Sequence, residues 1–129
     1  DAGTYPIVVD GGSDNNYNLI YVDGTLTVDK AVLTVTANDD SRLYGDANPA
    51  FTVGYTGFKN SETLSVIDTQ PTASSAASLT SPVGTYAITP SGGSDNNYSF
   101  SFVNGTLTVN KAAVTAIASD ASRNYGEVN

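Results

Sequence analysis

Clusters of Asp and Asn side chains are the features of this sequence best suited to binding a metal ion. Calcium is held by carboxylate and carbonyl oxygens, and in the preferred cluster, Asn38–Asp46, the candidate ligands are Asp39, Asp40 and Asp46. The spacing of an EF-hand loop is absent, and Asx side chains more commonly form turns by accepting hydrogen bonds from nearby backbone N–H groups. We therefore expect turns in these clusters, no bound cofactor, and at most a weak effect of calcium. The other two clusters are Asp14–Asn16 and Asp95–Asn97.

Residues for acid–base or nucleophilic catalysis are scarce. The chain contains no Cys and no His, which excludes thiol nucleophiles, imidazole bases and a Ser–His–Asp triad. A hydrolase built on carboxylates would need two positioned acids, and the only glutamates, Glu62 and Glu127, occupy non-equivalent places. We predict that the chain is not an enzyme and has no catalytic residues.

Arg42 and Tyr44 recur later in the chain as Arg123 and Tyr125, and such a pair could read a ligand. Because the chain has only 5 basic residues, we expect the arginine instead to pair with a neighbouring Asp and fix a loop. Four further tyrosines could stack against a carbohydrate, but their positions within predicted strands favour the core. These are Tyr17, Tyr21, Tyr86 and Tyr98.

The net charge of the chain is −8, from 13 acidic and 5 basic residues. An acidic surface is repelled by nucleic acid and by anionic lipid, because both attract basic patches. No apolar run approaches the roughly 20 residues that a membrane-spanning helix requires. We predict no nucleic-acid partner and no membrane insertion.

The segment GGSDNNY occurs twice, at Gly11–Tyr17 and at Gly92–Tyr98, a shift of 81 residues. At this shift, 27 of the 48 overlapping residues are identical. Identity this dense at one spacing indicates tandem repeats. We predict three parts: 1–29 is the C-terminal part of a preceding repeat, 30–110 is one complete repeat, and 111–129 is the N-terminal part of a following repeat.

Alternating apolar and polar residues predict strands through most of the complete repeat. Asn104–Gly105 lies between the last two strands and favours a two-residue type I′ turn, which predicts a hairpin. Asn60 is expected to be the N-cap of one short helix near 60–67. The segment that follows contains Pro71 and Pro82, which indicates an edge strand or a long connection. The strand patterns lie at Leu33–Ala37, Phe51–Thr56, Tyr86–Ile88, Ser99–Phe102 and Thr106–Val109.

Two separated strings carry a resemblance to a known family. They are LTVTANDDSRLYGDANPAF (Leu33–Phe51) and GTYAITPSGGSDNNYSFSFVNGTLTV (Gly84–Val109). Together they resemble the MBG repeat of large bacterial surface proteins, over one complete unit from about Lys30 to Asn110. The resemblance implies an extracellular, non-catalytic, mostly β module of the bacterial cell surface, which extends the stalk of an adhesin or carries its surface contacts.

The predicted fold is mostly β: a small β-grasp-like module in tandem, with one short helix, or alternatively an immunoglobulin-like β-sandwich. We expect neighbouring repeats of the same chain or polymer to be the main partners, so that tandem copies form a stiff stalk, fibre or filament. The two ends lack any counterpart of 49–81, so they cannot form a complete second domain, and a lone terminal piece should fray. The alternative function is a glycan- or protein-binding adhesion module with a host-cell or matrix ligand.

Overall fold

The computed structural model describes residues 1–128; residue 129, the last of the segment predicted to open a following repeat, lies outside the described residues. The described residues form nine β-strands and one 3₁₀ turn. The mostly β architecture that the sequence predicts is therefore confirmed. The elements are β1 Gly3–Ile7, β2 Gly24–Val28, β3 Ala31–Ala37, β4 Asp40–Leu43, β5 Val53–Thr56, the 3₁₀ turn Leu64–Val66, β6 Thr72–Ser74, β7 Gly84–Ser91, β8 Tyr98–Val103 and β9 Gly105–Asn110.

The strands from β3 to β9 divide into two sheets. The three-stranded sheet has the order β5-β3-β8, and the four-stranded sheet has the order β4-β9-β7-β6. Each sheet contains one strand from the start of the repeat and one from its end. In the three-stranded sheet β3 pairs in parallel with β8, and in the four-stranded sheet β4 pairs in parallel with β9. The other neighbouring strands are antiparallel. The repeat is therefore closed only when both its opening and its closing strands are present.

The core of the complete repeat is filled by the alternating residues of its strands. In β3, Leu33, Val35 and Ala37 are buried, as their alternation with Thr predicts. Ala37 belongs to the three-stranded sheet, and it shares one apolar cluster with Ile88 and Leu107 of the four-stranded sheet. The two sheets thus pack on a common core, which is the arrangement of the sandwich alternative rather than of one sheet covered by a helix.

The hairpin predicted at Asn104–Gly105 is wrong. The strands that it would join, β8 and β9, belong to different sheets, and neither residue has a positive φ. The glycine is required for another reason: a Cβ atom at Gly105 would lie 2.5 Å from the carbonyl oxygen of Ala37. Close approach of two backbone segments, rather than turn geometry, explains the glycine.

The helix predicted near 60–67 is reduced to the 3₁₀ turn Leu64–Val66. Thr63 occupies the position before this turn, so the prediction of Asn60 as N-cap is wrong. Asn60 and Ser61 instead have positive φ angles of 52° and 59°. Two successive positive φ angles are typical of a type I′ turn, so the conformation expected at the Asn-Gly pair occurs here.

Two strands lack the alternating pattern that would have predicted them. β4 (Asp40–Leu43) lies inside the Asp-rich segment Asn38–Asp46, where the sequence predicts turns, and it pairs in parallel with β9. β6 (Thr72–Ser74) lies at the edge of the four-stranded sheet. An edge position agrees with the prediction made from the flanking prolines, since proline is tolerated at a sheet edge.

The first segment, 1–29, forms a separate two-stranded sheet from β1 and β2. Its register, from Gly3 opposite Val28 to Ile7 opposite Gly24, repeats the register of β7 and β9 at a distance of 81 residues. No strand in this segment corresponds to β8, and residues 111–128 form no strand. The boundaries proposed for the three parts stay a prediction.

Candidate functional site

The junction between the first segment and the complete repeat is the candidate functional site. Only two residues, Asp29 and Lys30, separate the end of β2 from the start of β3. The Lys30 ammonium group donates a hydrogen bond of 2.7 Å to the backbone carbonyl of Asp95. This bond holds the junction against the GGSDNNY loop of the complete repeat.

Asn97 connects that loop to the start of the first segment. Its Oδ1 atom accepts a hydrogen bond of 2.8 Å from the Ala2 backbone N–H group. Its Nδ2 group donates a bond of 3.1 Å to the Asp1 carboxylate. The loop therefore contacts the first segment by side-chain hydrogen bonds in addition to the covalent junction.

The GGSDNNY loops form the Asx turns that the sequence predicts. In the complete repeat, Asp95 Oδ1 accepts hydrogen bonds from the backbone N–H groups of Asn97 (2.7 Å) and Tyr98 (2.9 Å). In the first segment, Asp14 Oδ1 accepts the equivalent bonds from Asn16 (2.7 Å) and Tyr17 (3.1 Å). The turn presents Asn97 to the junction.

Tyr98, the last residue of the GGSDNNY loop in the complete repeat, fixes the loop to the segment around Lys59–Glu62. Its side chain is buried, and its hydroxyl group donates a 2.5 Å hydrogen bond to Glu62 Oε2 and accepts one of 2.8 Å from the Lys59 N–H group. The Glu62 hydrogen bond raises the pKa of the Tyr98 hydroxyl above its ordinary value, because it stabilises the protonated phenol. Phe58 packs edge-on against the Tyr98 ring at a centroid distance of 5.6 Å. The prediction that this tyrosine lies in the core is confirmed.

A cleft of ≈ 290 Å³ lies between the first segment and the complete repeat. Acidic and amide residues make up most of its polar lining, and Lys59 is its basic residue. Among residues 1–128, no group of three or more Asp, Glu, His or Cys side chains is arranged to hold a metal ion. The cleft is lined by Asp1, Ala2, Val28, Asp29, Ala31, Lys59, Asn60, Glu62, Asn97 and Tyr98.

Of the three calcium candidates, two accept backbone hydrogen bonds with their side chains and the third lies in a turn of the complete repeat. Asp39 Oδ1 accepts a 2.7 Å bond from the Thr106 N–H group, which ties the β3–β4 connection to β9. Asp40 Oδ1 accepts a 2.8 Å bond from the Ser41 N–H group. Asp46 ends a turn in which its N–H group donates to the Leu43 carbonyl (3.2 Å). Calcium binding at these residues stays a prediction.

Arg42 anchors a loop, but it does not pair with an Asp as predicted. Its side chain is buried and donates to Asn48 Oδ1 (2.8 Å) and to the backbone carbonyls of Leu43 (3.2 Å) and Ser78 (2.5 Å). Asn48 in turn donates a 2.7 Å bond to the Ala77 carbonyl. The sequence indicates Asn48 only as a member of the Asp- and Asn-rich cluster with Asp46, and not as the partner of Arg42; the same residue type recurs 81 positions later as Asn129.

The tyrosines considered for carbohydrate stacking differ between the two copies of the loop. Tyr98 is buried and Tyr86 is half-buried in the complete repeat, whereas Tyr17 and Tyr21 are exposed in the first segment. Tyr86 and its counterpart Tyr5 make the same bond, from the hydroxyl group to the carbonyl four residues earlier. The core prediction for the tyrosines therefore holds only where the repeat is complete.

The Tyr-Gly-acidic sequence forms a turn at Tyr44–Asp46 and again at Tyr125–Glu127. The central glycines, Gly45 and Gly126, have φ angles of 91° and 94°, a region that favours glycine. The Asp46 N–H group donates to Leu43, and the Glu127 N–H group makes the equivalent bond of 3.3 Å to Asn124. These features define a class of protein: a small two-sheet β module with a Tyr-Gly turn after its second strand, in a sequence that repeats at a shift of 81 residues.

The family match agrees with this class. A family model described as "MBG domain (YGX type)" matches residues 1–27 and 33–108. The chain belongs to this family, as the resemblance in its sequence suggested. Comparisons with curated proteins and with solved structures gave no significant match.

MBG domains are typical of secreted or surface proteins, and the family suggests a repeat module. Within residues 1–128, no helix has the length and apolar character needed to cross a membrane.

Proposed function

We propose that this chain is a non-catalytic extracellular repeat module whose tandem copies form a stiff stalk, fibre or filament of a bacterial surface adhesin. The observation that carries the proposal is the junction, where two residues link β2 to β3 and Asn97 bonds to the preceding segment. A short linker with a second, non-covalent attachment leaves few ways for one repeat to rotate against the next.

The junction contact does not depend on an unusual side chain in the preceding repeat. The partner of Asn97 is the backbone N–H group of Ala2, and the residue 81 positions later, Val83, also has a backbone N–H group. Lys30 recurs as Lys111, and Asn97 has its counterpart in Asn16. The same attachment is thus available at successive junctions of an array.

Scattering from proteins with increasing numbers of repeats tests the stalk proposal. We expect the maximum dimension of proteins with one, two and four tandem copies of 30–110 to grow in proportion to the copy number. A compact particle whose dimension grows much more slowly would contradict a stiff stalk.

A matched pair of substitutions tests the role of the junction contact. Asn97→Ala in every copy removes the acceptor for the backbone N–H group of Val83 of the preceding copy, the counterpart of Ala2, and it should shorten the maximum dimension of the four-copy protein by permitting bending. Asn96→Ala changes the exposed neighbour in the same loop and should leave the dimension unchanged. Equal behaviour of the two variants would show that the contact does not stiffen the array.

The alternative function is a glycan- or protein-binding adhesion module with a host-cell or matrix ligand. An aromatic platform beside the Asx loop would support it, but Tyr98, the aromatic residue of this loop in the complete repeat, is buried. A glycan array screened with a two-copy protein separates the hypotheses. Specific binding in the sub-millimolar range would favour the adhesion module over the stalk. We propose neighbouring repeats as the main partners, with no nucleic-acid partner and no membrane insertion.

A further inference from the structure

The first two and the last two strands of the complete repeat form one parallel pair that runs through both sheets. In the three-stranded sheet, β3 and β8 pair at six positions, beginning with Ala31 opposite Tyr98. In the four-stranded sheet, β4 and β9 pair at four positions, ending with Leu43 opposite Asn110. The residue numbers of every pair differ by 67, so the register does not change where the strands pass from one sheet to the other.

A side chain bridges the corner where the strands change sheets. Asn38 and Asp39 separate β3 from β4, and Asn104 alone separates β8 from β9. Across this corner, Asp39 Oδ1 accepts a hydrogen bond of 2.7 Å from the Thr106 N–H group. The parallel pair is therefore hydrogen-bonded on both sides of the corner and across it.

The two ends of this parallel pair lie at opposite ends of β7. That strand begins at Gly84, which lies opposite Val109 of β9, and residues 92–97 join its other end to Tyr98, the first residue of β8. β7 spans about 24 Å, and the six-residue link could return along it only if fully extended, which its Asx turn prevents. Because Ala31 pairs with Tyr98, the chain enters the repeat at one end of β7 and leaves it at the other.

We propose that this parallel pair is a mechanical clamp, which allows the repeat to bear a pulling force along an array. Such a force acts on the repeat at the start of β3 and at the end of β9, because the neighbouring repeats join there. It pulls β3 toward its N-terminal end and β9 toward its C-terminal end, so the two halves of the pair must slide past each other. The hydrogen bonds between them are evenly spaced and are loaded together.

The resistance of the clamp depends on the direction of the force. A force along the array breaks the bonds of the pair together, so the barrier to forced unfolding is high. A force that separates Ala31 from Tyr98 opens the same pair from one end, and its bonds then break one after another. The difference between these two directions distinguishes a clamp from general stability of the fold, which would resist both equally.

The proposal rests on the proposed stalk function, because a clamp is useful only in a chain that bears tension. The two nevertheless fail separately. Scattering reports whether an array of repeats is stiff, whereas the force that unfolds one repeat is measured on a single chain and does not depend on the angle between neighbours. A stiff array of weak repeats and a flexible array of strong repeats are both distinguishable results.

Single-molecule force spectroscopy on the full 129-residue chain tests the clamp, since the native chain has no Cys and handles can be attached at two chosen positions. Asp29→Cys with Lys111→Cys applies the force along the array direction. Asp29→Cys with Asn96→Cys pulls β3 and β8 apart from one end, and all three positions are exposed and outside the strands. We expect a several-fold higher unfolding force along the array at the same loading rate. Equal forces in the two directions, or a lower force along the array, would overturn the proposal.

A matched pair of substitutions tests the corner. Asp39→Ala removes the acceptor for the Thr106 N–H group and should lower the unfolding force along the array. Asp40→Ala removes the same charge from a carboxylate that accepts a bond from the adjacent Ser41 N–H group, and it should leave that force unchanged. Opening from the Tyr98 end separates β3 from β8 before it reaches the corner, so Asp39→Ala should not change the force in that direction.

Two results would contradict the role of the corner in the clamp. Equal losses of force in Asp39→Ala and Asp40→Ala would show that the bond across the corner does not carry load. A loss of the same size in both pulling directions would show that Asp39 supports the stability of the fold rather than its resistance to force.

Discussion

Two copies of the sequence GTLTV have the same strand pairing but opposite environments. In β2 every residue is exposed, and in β9 the glycine and both apolar residues are buried. The partner strands show the same contrast, with Ile7 52% exposed in β1 and its counterpart Ile88 0% exposed in β7. Antiparallel pairing between these strands therefore needs no other part of the repeat, whereas burial needs the opening strands β3 and β4.

The comparison also separates local from long-range structure. The Asx turn of the GGSDNNY loop and the Tyr-Gly turn form in both copies, because their hydrogen bonds join residues at most three positions apart. The strand that follows the GGSDNNY loop forms in only one of the two copies. Tyr98–Val103 forms β8 beside β3, whereas residues 17–22 have no such neighbour and form no strand.

The largest expected effect comes from truncating the shared leucine of the two GTLTV copies. Leu107→Ala removes a fully buried side chain and should lower the free energy of unfolding by about 2–5 kcal/mol. Leu26→Ala changes a half-exposed side chain outside that core and should stay within about 0.5 kcal/mol of the native chain. Urea denaturation of both variants measures the difference. Similar losses would show that the first segment unfolds as part of the same core.

Substituting the glycine of each GTLTV copy, Gly105 or Gly24, should give the next largest difference in the free energy of unfolding. Gly105→Ala places a Cβ atom 2.5 Å from the Ala37 carbonyl oxygen, and the required backbone shift should cost about 1–3 kcal/mol. At Gly24, the nearest atom to such a Cβ is Ile7 Cβ at 3.5 Å, an ordinary contact. Gly24→Ala should therefore be nearly neutral. Equal losses in thermal or urea denaturation would indicate that the glycine serves the turn and not the approach of β3.

The wrong prediction of a hairpin at Asn104–Gly105 shows that a local sequence pattern does not reveal why a glycine is required. A two-residue turn and a close approach of two backbones both favour glycine, and the sequence around Gly105 does not distinguish them. The distinction depends on β3, whose end lies against Gly105 but is far from it in the chain. The buried residues of β3 and β9 were predictable because alternation alone identifies a half-buried strand.

The candidate site was predictable only in part. The Asx turn follows from the side-chain chemistry of Asp95, and the junction was visible as the short link around Lys30. The contact of Asn97 with Ala2, and the bond from Tyr98 to Glu62, join segments that no local pattern connects. Recurrence of Asn97 as Asn16 was the one signal in the sequence for the first contact.

Tyr98 and Tyr17 share a sequence context but should respond differently to loss of the hydroxyl group. Tyr98→Phe removes the hydrogen bond to Glu62 and should lower the melting midpoint by several degrees. Tyr17→Phe changes a side chain that is 74% exposed and should leave the midpoint unchanged. A further control is Tyr55→Phe, because the Tyr55 hydroxyl is buried without a hydrogen-bond partner. Its removal should be neutral or stabilising.

The hydrogen bond from Tyr98 to Glu62 also predicts that the stability of the fold depends on pH in the alkaline range. The pKa of Tyr98 is raised above its ordinary value of 10.0, chiefly by the hydrogen bond to Glu62. Below pH 10 the hydroxyl is protonated in both states, and its contribution to stability is fully present. As the pH rises above 10, the unfolded chain loses this proton first, so stability falls through the raised folded-state pKa.

Denaturation between pH 9 and 12 measures this loss. Tyr98→Phe should show a shallower decline than the native chain. The decline should not vanish, because burial also raises the pKa of Tyr55. An identical slope in the native chain and Tyr98→Phe would contradict the assignment to Tyr98.

The smallest expected effect is the change in melting midpoint on adding calcium. The Asp-rich segment of the complete repeat is compared with its counterpart in the last segment. Asp39, Asp40 and Asp46 correspond to Asp120, Ala121 and Glu127.

In the complete repeat, Asp39 and Asp40 already accept backbone hydrogen bonds, and residues 1–128 contain no group of three acids arranged around a common point. Stabilisation by a ligand depends on its affinity for the folded state, so melting with calcium and then with excess chelator should differ by no more than about 2–3 °C. Asp40→Asn keeps a side-chain acceptor while removing one charge, and it should leave that small difference unchanged. A large stabilisation by calcium that Asp40→Asn abolishes would establish a metal site between β3 and the Tyr-Gly turn.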